Sequence, residues 1–268
     1  MTVGAGSVAT FGTLFAAAAA LVLAPQAASA QAPASASASD VSARKAKALE
    51  LARLVEPRTA AGAPDKMEAQ YIAGLLAMEE IAELEAEYPG VVQAMWRAIE
   101  PEIDRDTAAR LPAFWERLAD IYSSGMTLEQ IDGAVAFMAS PTGQKMIAAM
   151  TEGLVAPAMN IAAKSEGGPI SDGEIDQAKT AAAETMVVRM TQEEQEQIAA
   201  FAGTPAGIAL LSVAPQVQQA TLEWMNMSDP ASDARVDALA EKAIGDYIAA
   251  AEAAKGKAEA TGKGKARR

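Results

Sequence analysis

The sequence predicts an all-α protein, a multi-helix bundle built around two related helix-turn-helix hairpins, with no β-sheet. Three observations predict it. Hydrophobic residues make up 51% of the chain but aromatics only 4%, so the core material is Ala, Leu, Ile, Val and Met. Ala and Leu lead the helix formers, with Glu, Gln, Lys and Arg close behind. Apolar residues recur three and four positions apart rather than alternately, which is the helical period. A short pattern also occurs twice. Met126-Thr127-Leu128-Glu129-Gln130, Phe137 and Ser140-Pro141-Thr142-Gly143 return as Met190-Thr191-Gln192-Glu193-Glu194, Phe201 and Thr204-Pro205-Ala206-Gly207, at one offset of 64 residues.

The chain begins with 39 residues that carry no charged side chain. An apolar run from Phe11 to Leu23 leads through Pro25 to Ala28-Ser29-Ala30. A short apolar core followed by A-x-A is the secretory pattern, and the run falls short of the ~20 residues of a membrane span. No Lys or Arg precedes it. Residues 1–30 are therefore expected to be a signal peptide and 31–39 a flexible leader rich in Ala, Ser and Pro. Export to the periplasm follows as the expectation. The mature protein is then not an integral membrane protein.

Helices are expected in order along the rest. The first covers Val41–Glu56 and stops at Pro57. A long one runs from Asp65 to Glu87, and Tyr88-Pro89-Gly90 breaks the chain. A helix carrying Val92, Met95, Trp96 and Ile99 is expected to stop at Pro101. Another spans Asp106–Ser123 with Leu111, Phe114, Trp115, Leu118 and Ile121. The first hairpin completes a region over 40–164. Ser165-Glu166-Gly167-Gly168-Pro169 opens a second region over 165–254, with a helix near Asp172–Arg189, the second hairpin and a last helix over Ser232–Ala253. Residues 255–268 are expected to form a disordered basic tail.

Within each hairpin the residue types specify a geometry. Thr127 with Gln130, and Thr191 with Glu194, fit capping boxes at the first helix. Ser140-Pro141 and Thr204-Pro205 place an N-cap hydroxyl before a proline that needs no N–H. Gly143 and Gly207 are poor helix formers, and close approach of the preceding helix is the expected reason for them. Leucine at 143 is then expected to be costly and alanine milder. Leu128, Ile131, Val135 and Met138 form an apolar stripe, continued by Ile147, Met150 and Leu154. In the second copy Gln192 and Gln195 replace Leu128 and Ile131, so that helix is expected to pack less deeply or to face a groove.

Phe137-x-x-Ser140-Pro141-x-Gly143-Gln144-Lys145, with Tyr122 and the Met126–Gln130 helix start before it, resembles the exported bacterial domain-of-unknown-function family numbered 2059. The resemblance covers about Asp120–Met159 and implies a secreted all-α protein, with no established activity. Ile208 and Ala209 stand where Gln144 and Lys145 stand, so the second copy looks like a diverged structural duplicate. Gln144 and Lys145 are the candidate contacts for a ligand or partner, though a salt bridge near the turn is the commoner role for an exposed lysine such as Lys145; Phe137 and Phe201 belong to the structural motif.

Composition excludes several chemistries. The chain has no Cys and no His, which removes Cys nucleophiles, a Ser-His-Asp triad and ordinary zinc sites. No catalytic residue, cofactor or metal site is assigned. Formal charge is −13. Six basic residues and one acidic residue lie in Lys255–Arg268, leaving 16 basic against 34 acidic elsewhere. So acidic a body opposes nucleic acid, whose binding relies on phosphate neutralisation. Carboxylates such as Glu83, Glu85, Glu87, Asp104 and Asp106 are candidates for a two-carboxylate enzyme by type alone. A solvated helix face is the ordinary explanation for them. The 13 methionines, among them the i, i+4 pairs Met146/Met150 and Met186/Met190, suit core packing, an adaptable lipid or peptide groove, or Cu(I). The function expected is a non-enzymatic binding or interaction module of the cell envelope, holding a protein, peptide or lipid. A carboxylate-dependent enzyme acting on an envelope polymer is the alternative.

Overall fold

The computed structural model describes residues 38–55, 63–150, 172–227 and 229–265. The signal and leader pattern, the Gly167-Gly168-Pro169 linker and Arg267–Arg268 lie outside them, apart from the last two leader residues. The described residues form helices and turns, with no strand among them. In order the helices are α1 (Ala38–Leu54), α2 (Ala63–Leu76), α3 (Glu79–Glu87), α4 (Val91–Gly125) and α5 (Leu128–Met138). Then come α6, described over 141–150, and α7 (Asp172–Arg189), α8 (Gln192–Ala202), α9 (Pro205–Met225) and α10 (Pro230–Lys265).

Helix α4 is the frame. It has 35 residues, a length of ~52 Å at 1.5 Å per residue. Helices α10, α1 and α9 pack along it, and α5 packs on α1 and α9. Its buried face carries Val91, Val92, Met95, Trp96, Ile99 and Ile103 toward one end and Phe114, Leu118, Ile121 and Tyr122 toward the other. Around it lie Leu51 of α1 and Val55 just after that helix, Ile131 and Met138 of α5, Val213 and Val217 of α9, and Val236 of α10, all buried. Phe114 stacks on Trp224 of α9 at 4.9 Å between ring centroids.

The sequence predicts a stop at Pro101 and a fresh helix from Asp106. The structure instead carries α4 unbroken through Pro101 and Pro112. Each proline removes the hydrogen bond to the carbonyl four residues earlier. Pro101 and Pro112 are exposed, as are Arg97 and Ala108 four residues before them, so the freed carbonyls lie on the side facing water. Burial on both sides of each proline holds the helix together across it. The long helix expected over Asp65–Glu87 is divided at Ala77-Met78, where Met78 is extended at φ −83°, ψ 125°. Glu79 and Glu80 follow in the first turn of α3. Carboxylates there complement the positive end of a helix and oppose the negative end of the one before. At the C-terminus α10 continues to Lys265, through most of the segment expected to be a disordered tail. Ala, Lys and Glu sustain the helix there, and Gly256 has open space around it.

The Tyr88-Pro89-Gly90 break does occur, and α10 clamps it. Gly90 has φ 96°, a conformation that L side chains rarely adopt. A Cβ there would lie 2.6 Å from the Tyr247 hydroxyl, which donates to the Pro89 carbonyl. The Glu85 carboxylate accepts from the Gly90 and Val92 backbone N–H groups at 2.6 and 3.0 Å. It thereby satisfies two donors that the start of α4 leaves open.

Glu102, in the N-terminal third of α4, ties that helix to Arg235 near the start of α10. Its side chain is 7% exposed, and it accepts from Arg235 Nε of α10 at 2.6 Å and from Arg105. The Arg235 hydrogen bond is the main reason its carboxyl sits below the usual range, with Arg105 adding to it against the cost of burial. A lowered carboxyl stabilises the fold above the unfolded value, about 4.3 for Glu, and that contribution is lost as pH falls through the folded value. Glu102→Gln is expected to cost about 1–3 kcal/mol at neutral pH, the range for hydrogen bonds to charged groups. The gap to wild type closes as pH falls below ~4. Urea midpoints of both proteins across a pH series measure it.

Candidate functional site

The repeated pattern folds into the same local structure twice. Thr127 Oγ1 accepts from the Gln130 N–H at 3.2 Å while Gln130 Oε1 accepts from the Thr127 N–H at 2.8 Å. Thr191 and Glu194 repeat the pair at 3.3 and 2.7 Å. At the turns, Ser140 Oγ accepts from the Gly143 N–H at 3.1 Å and donates to the Phe137 carbonyl at 2.6 Å. Thr204 does the same with Gly207 and Phe201 at 3.0 and 2.7 Å. Each hydroxyl thus closes the end of one helix and opens the next. In the second hairpin the chain bends by 80° between α8 and α9.

The two glycines set how tight the turn can be. A Cβ on Gly143 would lie 2.2 Å from the Phe137 carbonyl oxygen and 2.8 Å from Met138 Cα. On Gly207 the corresponding distances are 2.1 Å to the Phe201 carbonyl oxygen and 2.8 Å to Ala202 Cα. These obstacles are backbone atoms, which cannot rotate aside.

The hairpins face each other across an approximate two-fold relation. Phe137 and Phe201, equivalent positions of the two copies, stack with centroids 4.0 Å apart and planes 2° from parallel. Thr142 Oγ1 donates to Gln197 Oε1. The positions equivalent to Gln197 and Thr142 are Gly133 and Ala206, and these also meet: a Cβ on Gly133 would lie 2.9 Å from Ala206 Cβ. Lys145 Nζ reaches both oxygens of Glu194 at 2.7 and 2.8 Å. That pair breaks the symmetry, because Ala209 and Gln130 occupy the equivalent positions. The Lys145 hydrogen bond is the leading cause holding the Glu194 carboxyl below its usual range, followed by the Thr191 N–H.

Gln144 and Lys145, the candidate contact residues, are therefore engaged inside the chain. Gln144 Nε2 donates to the Met138 carbonyl at 2.8 Å, at the end of α5, and Lys145 bridges to the second hairpin. The copies differ in depth. Ile131, Ala134, Val135 and Met138 of α5 are buried, while α8 buries no residue. Gln195, which stands where Ile131 stands, donates to the Val187 and Met190 carbonyls at the end of α7. It exchanges a core contact for a helix cap.

Methionine belongs mainly to the core. Met95, Met126, Met138, Met146, Met150, Met186 and Met190 are buried, whereas Met227 is 53% exposed. No group of three or more His, Cys, Asp or Glu able to hold a metal occurs among the described residues. Of the carboxylates singled out by type, Glu85 caps α4 and Asp106 pairs with Arg110. Glu83, Glu87 and Asp104 lie exposed on their helices. Sequence reasoning missed Glu102 and Gln197. Nothing local marks either, since their partners Arg235 and Thr142 lie far away in the chain.

Residues 113–166 match the model of a family described as an uncharacterized protein conserved in bacteria (DUF2059). The matched span takes in the end of α4, α5, the Ser140-Pro141 turn and α6, so it contains the first hairpin and stops short of the second. No curated protein and no solved structure matches the chain. No single described helix is long and apolar enough to cross a membrane.

The turn geometry makes a sharp expectation. Alanine in a helix gains up to ~1 kcal/mol of propensity over glycine, but at 143 its Cβ meets backbone. Gly143→Ala is expected to lose about 1–3 kcal/mol, the overpacking range, and Gly143→Leu at least as much. Ser140→Ala is expected to cost on the order of 1 kcal/mol for the lost cap. Denaturant midpoints of the three variants check the turn, and a Gly143→Ala protein as stable as wild type would refute it.

Proposed function

We propose that this chain is an exported, non-enzymatic interaction module of the cell envelope, residing in the periplasm. The observation that carries the non-enzymatic reading is the fate of the motif's polar groups. Thr127, Gln130, Ser140, Gln144, Lys145, Thr191, Glu194 and Thr204 each bond within the hairpin pair. A motif spent on internal bonds builds a surface and leaves no general acid, base or nucleophile to react. Export rests on the apolar run and Ala28-Ser29-Ala30. The partner class is a protein, peptide or lipid of the envelope, and the exposed Val187 and Val188 at the end of α7 offer apolar contact for it. The acidic body argues against nucleic acid.

One observation favours the carboxylate-enzyme alternative. Asp233 is raised above its usual range by burial and by the nearby charges of Asp106 and Asp229, with Arg110 opposing. Asp237 on the same helix is raised by burial and by Asp233 and Glu241. Raised carboxyls of this kind accompany acid–base sites as well as structural clusters.

The test takes the protein from its own envelope. N-terminal sequencing is expected to begin at Gln31, and native mass spectrometry to show a co-purified peptide or lipid. Recovery of the intact Met1 chain in the membrane fraction would contradict cleavage. Release of fragments from envelope polymer, abolished by Asp233→Asn, would replace the binding module with the enzyme.

A further inference from the structure

We infer that the Phe137 face of the first hairpin is a homotypic pairing surface. The second hairpin is its tethered partner, and a second copy of this chain, bringing its own Phe137 face, is the partner once the second hairpin is disabled. This goes beyond the envelope reading and does not depend on it.

The argument begins with symmetry. In an interface between identical surfaces, if residue i meets residue j, then j meets i across the axis. The hairpin pair keeps that rule inside one chain. Phe137 meets its own equivalent, Phe201. Thr142 meets Gln197, and the equivalent pair, Ala206 and Gly133, meets as well. Two sequence-related surfaces so arranged have the geometry of a homodimer interface carried within a single polypeptide.

The first hairpin also satisfies that geometry when paired with itself. Phe137 would lie on Phe137. Thr142 would face Gly133, which has no Cβ to obstruct it. Lys145 would face Gln130, whose Oε1 accepts from the Thr127 N–H and has a second lone pair for an ammonium. Glu194 shows the same double use, taking both the Thr191 N–H and Lys145. The second hairpin paired with itself would set Ala209 against Glu194, leaving the carboxylate without its cation. Self-compatibility therefore resides in the first hairpin, which is also the only copy inside the span matched by the family model.

Pairing within the chain wins in the intact protein for two reasons. It adds the Lys145–Glu194 ion pair and the Thr142–Gln197 bond. The shared polypeptide makes the pairing intramolecular, which raises the effective concentration of the partner surface. Weakening the second hairpin's face without unfolding it removes the ion pair and the aromatic stack and offers the surface to another copy.

Phe201→Asp/Glu194→Gln in the full chain does this. Glutamine at 194 keeps the capping box, as Gln130 does in the first copy. Helix α8 has no fully buried residue, and Phe201 touches the core only from a partly buried position. Analytical ultracentrifugation over a concentration series is expected to show the mass doubling, and adding Phe137→Asp is expected to return it to the monomer. If the aspartate variant loses its helical circular dichroism, Phe201→Ala/Glu194→Gln decides by the same criteria. A folded variant that stays monomeric throughout overturns the inference, as does doubling that survives Phe137→Asp.

Discussion

The absence of a side chain at Gly143 and Gly207 is the constraint from which the rest follows. Each glycine lets the second helix of its hairpin start against the backbone of the first, at distances that exclude even a methyl group. That closeness brings Ser140 and Thr204 within hydrogen-bond reach of both helix ends. It also fixes where Phe137 and Phe201 stand, because each supplies the carbonyl against which its own turn closes. Two turns of one geometry therefore present two phenylalanines in equivalent positions. Their face-to-face stack is the consequence of local backbone chemistry carried out twice.

The long helix α4 gives this pair its footing. The first hairpin follows directly from its C-terminus at Gly125. Helix α9 of the second hairpin approaches so near that a Cβ on Gly125 would lie 2.3 Å from Val213 Cγ1. At the other end, α10 clamps the Gly90 turn through Tyr247, and near its own start it grips the N-terminal third of α4 through Arg235 and Glu102. Burial along α4 also overrides two prolines that would end an isolated helix. The asymmetry between the copies fits this setting. Helix α5 lies in the core, while α8 lies on the surface and needs Gln195 to cap α7 more than it needs an apolar stripe.

How far the fold was legible can be traced residue by residue. The all-helical class was legible because composition and period agree, and no pattern in the chain favours strands. The turn residues were legible because their signals are local: a hydroxyl before proline, and a threonine three residues before Gln or Glu. Pro101 misled because proline's cost is local whereas the burial that outweighs it is tertiary. The basic C-terminus misled in the opposite sense, since its charge pattern reads as tail while its Ala, Lys and Glu propensities carry α10 to Lys265. The pairing of the two hairpins was not legible at all. A repeat announces that two units are alike and says nothing about whether they touch. The salt-bridge partner of Lys145 could not be named from sequence, because Glu194 lies 49 positions away.

The measurement that tests the pairing most directly is a double-mutant cycle on Phe137→Ala and Phe201→Ala. A stacked aromatic pair contributes about 0.5–1.5 kcal/mol beyond the area it buries. Urea unfolding of wild type, both single variants and the double variant isolates that coupling. The face-to-face hairpin pair requires a coupling in this range, with the double variant less destabilised than the two single losses added together. Strictly additive losses would mean that the two phenylalanines do not meet, and would contradict the paired hairpins on which the structure is built.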